Sequence, residues 1–108
     1  MNKKGTVVLV PFPFTDLSGN KVRPAVVVSN GKIGADVVVL FVTSQTKLKI
    51  KHAVSVKADE KSGIKVNSKV VCSKIATLEA KIILGELGHF SSAVQKQIDS
   101  ELKKVLSL

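Results

Sequence analysis

From residue 6 to residue 90 the chain alternates short apolar runs with turn-forming polar segments; after that its period changes. Residues 6–10 form a β-branched apolar run stopped by Pro11-Phe12-Pro13. Residues 15–21 are turn material, because Ser18-Gly19-Asn20 supplies residues that tolerate positive φ. Residues 22–29 read as a strand with Pro24 near its start, a position where a missing N–H is tolerated. Asn30-Gly31 marks a turn. Residues 36–43 are a second run, and its apolar stretch from Val37 to Val42 is continuous rather than alternating. That pattern predicts a strand covered on both faces. After a polar loop at 44–49, strands are predicted at 52–57, 69–75 and 81–87, with a charged turn at 59–63. Gly85, inside the last run, predicts a bulge or a close backbone approach.

In the tail, Val94, Ile98, Leu102, Val105 and Leu106 recur every three to four residues, with Gln95, Lys96, Asp99, Lys103 and Lys104 between them. This spacing predicts an amphipathic helix of about four turns, capped by Ser91 or Ser92. The sequence shows no repeat, low-complexity segment or linker. Residues 1–108 therefore read as one mainly-β domain, a small coiled antiparallel sheet or barrel with a C-terminal helix.

Composition narrows the reading. Hydrophobic residues make up 44% of the 108, too many for a disordered basic tail. Cys72 is the only cysteine, which excludes an internal disulfide and a cysteine-based zinc site, and fits a reducing cytoplasm. Residues 1–5 are basic and 6–14 largely apolar, but Pro11 and Pro13 interrupt that run and Asp16 closes it, unlike a secretory signal. No stretch approaches the roughly 20 apolar residues of a membrane span. The chain is expected to be cytoplasmic, with no membrane partner.

Charge changes the picture most. Lysine and arginine total 17 against 8 acidic residues, for a net charge of +9, and every base except Arg23 is lysine. Residues 47–81 hold nine lysines against three carboxylates, and Lys47, Lys49 and Lys51 would share one face of an extended chain. Such a face can track a phosphate backbone, or serve only as a solvated surface; the size of the surplus favours a polyanion partner. With four Phe and no Trp or Tyr, an aromatic base-stacking platform would be thin.

Few residues stand out chemically. Arg23 heads an apolar strand, and Pro24 confines it to extended backbone. It either pairs with a carboxylate at the strand end or projects into a cleft. Thr43-Ser44-Gln45 closes the most apolar run and is placed to bind a phosphate, although threonine also suits strands and serine turns. His52 and His89 lack metal-ligand spacing; His52 lies among lysines and His89 ends a strand. Cys72, set among apolar neighbours, reads as core. No P-loop or dinucleotide fingerprint occurs.

Two stretches carry a resemblance. Gly5-Thr6-Val7-Val8-Leu9-Val10-Pro11-Phe12-Pro13-Phe14-Thr15-Asp16-Leu17-Ser18-Gly19 followed by Lys21-Val22-Arg23-Pro24-Ala25-Val26-Val27-Val28-Ser29 resembles the opening of the MazF/PemK toxins. Phe41-Val42-Thr43-Ser44-Gln45 is similar to a later segment of that family, and a weaker likeness runs through residues 70–87. The resemblance implies an SH3-like small β-barrel with a C-terminal α-helix, usually a homodimer. It implies an endoribonuclease that cuts single-stranded RNA by attack of the 2′-hydroxyl, leaving a 2′,3′-cyclic phosphate and a 5′-hydroxyl. A cognate acidic antitoxin would neutralise it, and no metal or cofactor would be needed.

Position by position, the resemblance makes Arg23 and Thr43 catalytic. It places Thr15, Asp16, Ser18 and Lys21 in a loop bordering the RNA groove; Ser44, Gln45, Lys47 and Lys49 complete the expected substrate contacts. The chain departs from the family pattern at Ser73 and Ala76, where relatives often carry an acidic residue and an arginine, so reduced or altered cleavage is expected. Asp16 is a conceivable replacement for the acidic group. Two other classes remain: a basic barrel that binds RNA or an acidic protein without cleaving, and a gyrase inhibitor built on the same barrel. The regular tail helix gives the gyrase reading no specific support.

Overall fold

The structure, a computed structural model, describes residues 2–11 and 21–108. Thr15, Asp16 and Ser18 lie outside the described residues. Six strands follow in chain order: β1 (Thr6–Pro11), β2 (Val22–Val27), β3 (Asp36–Thr43), β4 (Ala53–Val56), β5 (Ser68–Glu79) and β6 (Gly85–His89). A short 3-10 turn, Ala80–Ile82, precedes β6, and helix α1 (Ser92–Leu106) ends the chain. The strands form one antiparallel sheet in the order β4-β5-β3-β2-β1-β6. It curls into a half-barrel with one C-terminal helix, the mainly-β architecture expected from the sequence.

The sheet is buried on both faces. One face carries Val7, Val26, Leu40, Val42, Val54, Val70 and Cys72, and α1 covers it with Ile98, which is 2% exposed, and with the half-buried Val94, Leu102 and Val105. Burying a side chain such as Ile98 stabilises the fold by about 1.5–3 kcal/mol. The other face carries Val8, Val10, Ala25, Val27, Val37, Val39 and Phe41, and is covered by Ala80, Ile82 and Ile83. Here lies the reason for the unbroken apolar run in β3: alternate residues enter different cores. Ser91 caps α1 as expected, its hydroxyl accepting from the Val94 N–H at 3.2 Å.

The edge strands β4 and β6 are joined by a turn rather than a ladder. The His89 N–H donates to the Lys61 carbonyl at 2.8 Å, and the Phe90 N–H to Gly5 at 3.0 Å. In the turn, the Asp59 carboxylate accepts from the Ser62 N–H at 2.6 Å, a bond that holds its pKa below the usual carboxylate range. Gly63 has φ +75, and Gly88 lies so close to Lys61 and Ser62 that a Cβ there would collide with their backbone.

The last strand therefore differs from the sequence expectation. Residues 81–87 are not one strand: Ala80–Ile82 turns over the second core, and β6 begins only at Gly85. Gly85 is not the close approach, since a Cβ there would meet nothing within 4 Å; that role belongs to Gly88. The irregularity in the β1–β6 ladder falls between Val8↔Glu86 and Val7↔Gly88, which leaves Leu87 as the extra residue. A much larger bulge interrupts β5. Leu40 pairs with Ile75, but Phe41 pairs with Val71, so Cys72, Ser73 and Lys74 are looped out of the ladder.

Candidate functional site

The site forms where the second sheet face runs beyond its cover. Arg23 is at the start of β2, paired with Val10 of β1. The β2–β3 ladder ends at Ala25↔Phe41, and the next residue, Pro24, has no N–H to extend it. Alternation puts Arg23 on the face of Ala25 and Val27, and Thr43 on the face of Phe41 and Val39. That face is apolar under Ala80, Ile82 and Ile83 and becomes polar and cationic past them.

A cleft of about 490 Å³ opens there. Arg23, Thr43 and Gln45 line it together with Phe41 and Val42; Leu48, Lys49, Ile50 and Lys51 form its loop wall, and Val71, Ser73 and Lys74 its β5 wall. Among the described residues the lining holds four cations and no carboxylate. Mixed apolar and cationic walls suit a ligand that combines flat, weakly polar rings with phosphates.

Local bonds set the polar groups. The Thr43 hydroxyl oxygen accepts the Gln45 N–H at 3.1 Å, and its own proton is left to donate elsewhere. Lys69, paired with Thr43 across the β3–β5 ladder, donates from Nζ to the Leu48 carbonyl at 3.1 Å and fastens the loop wall. At the far end of that loop, His52 has φ 59 and its Nδ1 lies 3.1 Å from Glu101 Oε1 of α1. The charged neighbour of His52 is thus a carboxylate of the helix. Hydrogen bonds from His52 and Lys104 hold the Glu101 carboxyl below its usual range. Cys72 is fully buried, and burial pushes its thiol up to about 11, which leaves it no nucleophilic role. His89 closes β6, as expected.

The expected contact residues divide. Arg23, Thr43, Gln45 and Lys49 come together in one cleft. Ser44 does not join them: it lines a second concavity of about 320 Å³, which Arg23 and Val42 also border. Lys47 and Lys21 are exposed and line neither cleft. Sequence reasoning missed Ser73 and Lys74 as lining residues, because the β5 bulge that presents them has no local signature. Lys51 had a signal in the alternation of the lysine run. Ala76 pairs with Val39 and packs on the second core. Among the described residues, no group of three or more His, Cys, Asp or Glu is placed to hold a metal ion. No helix among them is long and apolar enough to cross a membrane.

A family model for the PemK-like, MazF-like toxin of type II toxin–antitoxin systems matches residues 3–106. Among solved structures, an endoribonuclease in complex with its cognate antitoxin from Mycobacterial species is 26% identical, with a TM-score of 0.76 over 98% of this chain and 95% of that one. MazF from Deinococcus radiodurans superposes at a TM-score of 0.78 and 20% identity over 98% of this chain and 96% of that one. The Mycobacterium tuberculosis toxin MazF-mt6 gives 0.75 and 15%, over 95% and 97%. No curated protein matches the chain by sequence.

Proposed function

Because the chain belongs to the PemK-like, MazF-like toxins of type II toxin–antitoxin systems, we propose that it is an endoribonuclease that cleaves single-stranded RNA in the Arg23–Thr43 cleft. The observation that carries this reading is the cleft itself. It gathers one guanidinium, the hydroxyls of Thr43 and Ser73 and three ammonium groups beside apolar walls, with no carboxylate among its described lining residues.

The chemistry uses the RNA's own nucleophile. The 2′-hydroxyl attacks the adjacent phosphorus as its proton leaves to solvent. A bond forms from O2′ to phosphorus and the bond to O5′ breaks, giving a 2′,3′-cyclic phosphate and, after O5′ takes up a proton, a 5′-hydroxyl. Negative charge builds on the non-bridging oxygens during the attack. The Arg23 fork meets two of them, and the Thr43 hydroxyl donates to one. A lysine at position 23 would retain charge without the planar fork. Gln45 and Lys49 contact the substrate around that phosphate, with Lys51 beside them. In the cell, the same cationic surface would take an acidic segment of a cognate antitoxin, and the toxin would act as a cytoplasmic homodimer.

A second reading has its own support. Among the described lining residues neither a carboxylate nor a histidine is present to accept the 2′-hydroxyl proton. A barrel that binds RNA without cutting it would show the same cleft. Incubating the protein with long single-stranded RNA in the presence of chelator decides between them. Cleavage with cyclic-phosphate ends, abolished in Arg23→Ala and Thr43→Ala, supports the nuclease. Binding without cleavage at micromolar protein supports the second reading.

A further inference from the structure

Resting on the RNA-cleft reading, we propose that Lys74 is the second phosphate-binding cation of the site, holding an RNA phosphate on the opposite side of Thr43 from Arg23. The order β5-β3-β2 sets the strand bearing Thr43 between the strand bearing Lys74 and the strand bearing Arg23. All three residues line one cleft.

The β5 bulge fixes this placement. Cys72 is anchored inward, fully buried, with its N–H donating to the His52 carbonyl at 3.0 Å. Ser73 and Lys74 are pushed outward and exposed. From Ile75 the strand rejoins β3, and alternation returns Lys74 to the face of Ala76, which is also the face of Phe41 and Thr43. Among the described residues no carboxylate pairs with Lys74, whereas Lys4, Lys81 and Lys104 do form ion pairs. Lys49 and Lys51 reach the cleft from a loop; Lys74 reaches it from the end of the β5 bulge, one residue before the ladder with β3 resumes at Ile75. A lysine so placed contributes directional contact to one phosphate as well as diffuse field.

Binding of a mixed-sequence all-2′-O-methyl RNA, which lacks the attacking hydroxyl, tests this across a salt series. Lys74→Met is expected to weaken binding roughly fivefold at low salt and to flatten the dependence of log K on log salt by about 0.7, the share of one single-stranded phosphate contact. Lys74→Arg should restore both. Lys96→Met, on the exposed face of α1, should leave both at the wild-type value. The proposal is overturned if Lys74→Met matches wild type, if Lys74→Arg binds as weakly as Lys74→Met, if Lys96→Met causes an equal loss, or if wild type does not bind. Cleavage of unmodified RNA is scored separately, so a protein that binds but does not cut refutes the nuclease and still decides the role of Lys74.

Discussion

Substituting Arg23 by lysine isolates what the guanidinium does. The change keeps the charge at position 23, and Lys49, Lys51 and Lys74 still line the cleft, so the field that draws RNA in is preserved. What is lost is the second of two parallel hydrogen bonds to the phosphoryl oxygens. A hydrogen bond to a charged group is worth about 1.5–3 kcal/mol. At 1.36 kcal/mol per decade, the chemical step should slow by roughly 10- to 150-fold. Arg23→Ala removes both bonds and the charge, and should cost roughly 1,000-fold. Arg23 is half-buried, so a melting curve for each variant separates loss of fold from loss of chemistry. Single-turnover cleavage of a quenched fluorescent RNA at saturating protein measures the step directly, and anisotropy with a 2′-O-methyl analogue measures binding. Two results would refute the reasoning: Arg23→Lys cutting within about threefold of wild type, or losing its activity through binding alone.

Three further outcomes follow from the fold. Gly88→Ala should destabilise by about 1–3 kcal/mol, because its Cβ meets the Lys61 and Ser62 backbone, while Gly85→Ala, with open space around it, should melt like wild type. With its thiol near 11, Cys72 should present roughly one thiolate in ten thousand molecules at neutral pH, and a disulfide reagent should modify it only after denaturant is added. Glu101 has a folded-state pKa below its usual value of 4.5, so its pairing with His52 and Lys104 stabilises the protein above that pH and fades as pH falls through the lowered value. Glu101→Gln should therefore lower the melting midpoint at neutral pH, and the difference from wild type should shrink in acid; a gap that stays constant with pH would show that the pairing contributes nothing.

The elements readable from sequence were those fixed by their own residues. The unbroken run in β3 marked a strand with two buried faces, and the three-to-four spacing from Val94 to Val105 gave α1 with its Ser91 cap. Pro24 placed Arg23 in extended backbone at a strand start. Features set by distant parts of the chain were not readable. An apolar stretch such as Ile82-Ile83-Leu84 has the same composition whether it pairs as a strand or folds over a core. The need for glycine at 88 rather than 85 depends on a turn more than twenty residues earlier. Alternation grouped Lys47 with Lys49 and Lys51, but the loop after Thr43 contains Ser44–Thr46 and Gln45–Leu48 backbone bonds and is not extended, so only Lys49 and Lys51 line the cleft. Of the seven expected site residues that are described, Arg23, Thr43, Gln45 and Lys49 line one cleft, the first two from strands and the others from the loop after β3.

The second sheet face also separates two kinds of loss. Its covered part, from Val8 to Leu78, holds the protein together, while its open part carries Arg23, Thr43 and Lys74, none of them fully buried. Point changes in the open part alter exposed or half-buried side chains and leave the buried core residues in place. If cleavage resides in that open part, variants disarmed there would persist as folded proteins. Selection for harmlessness would leave its mark at three positions of the face and spare the core.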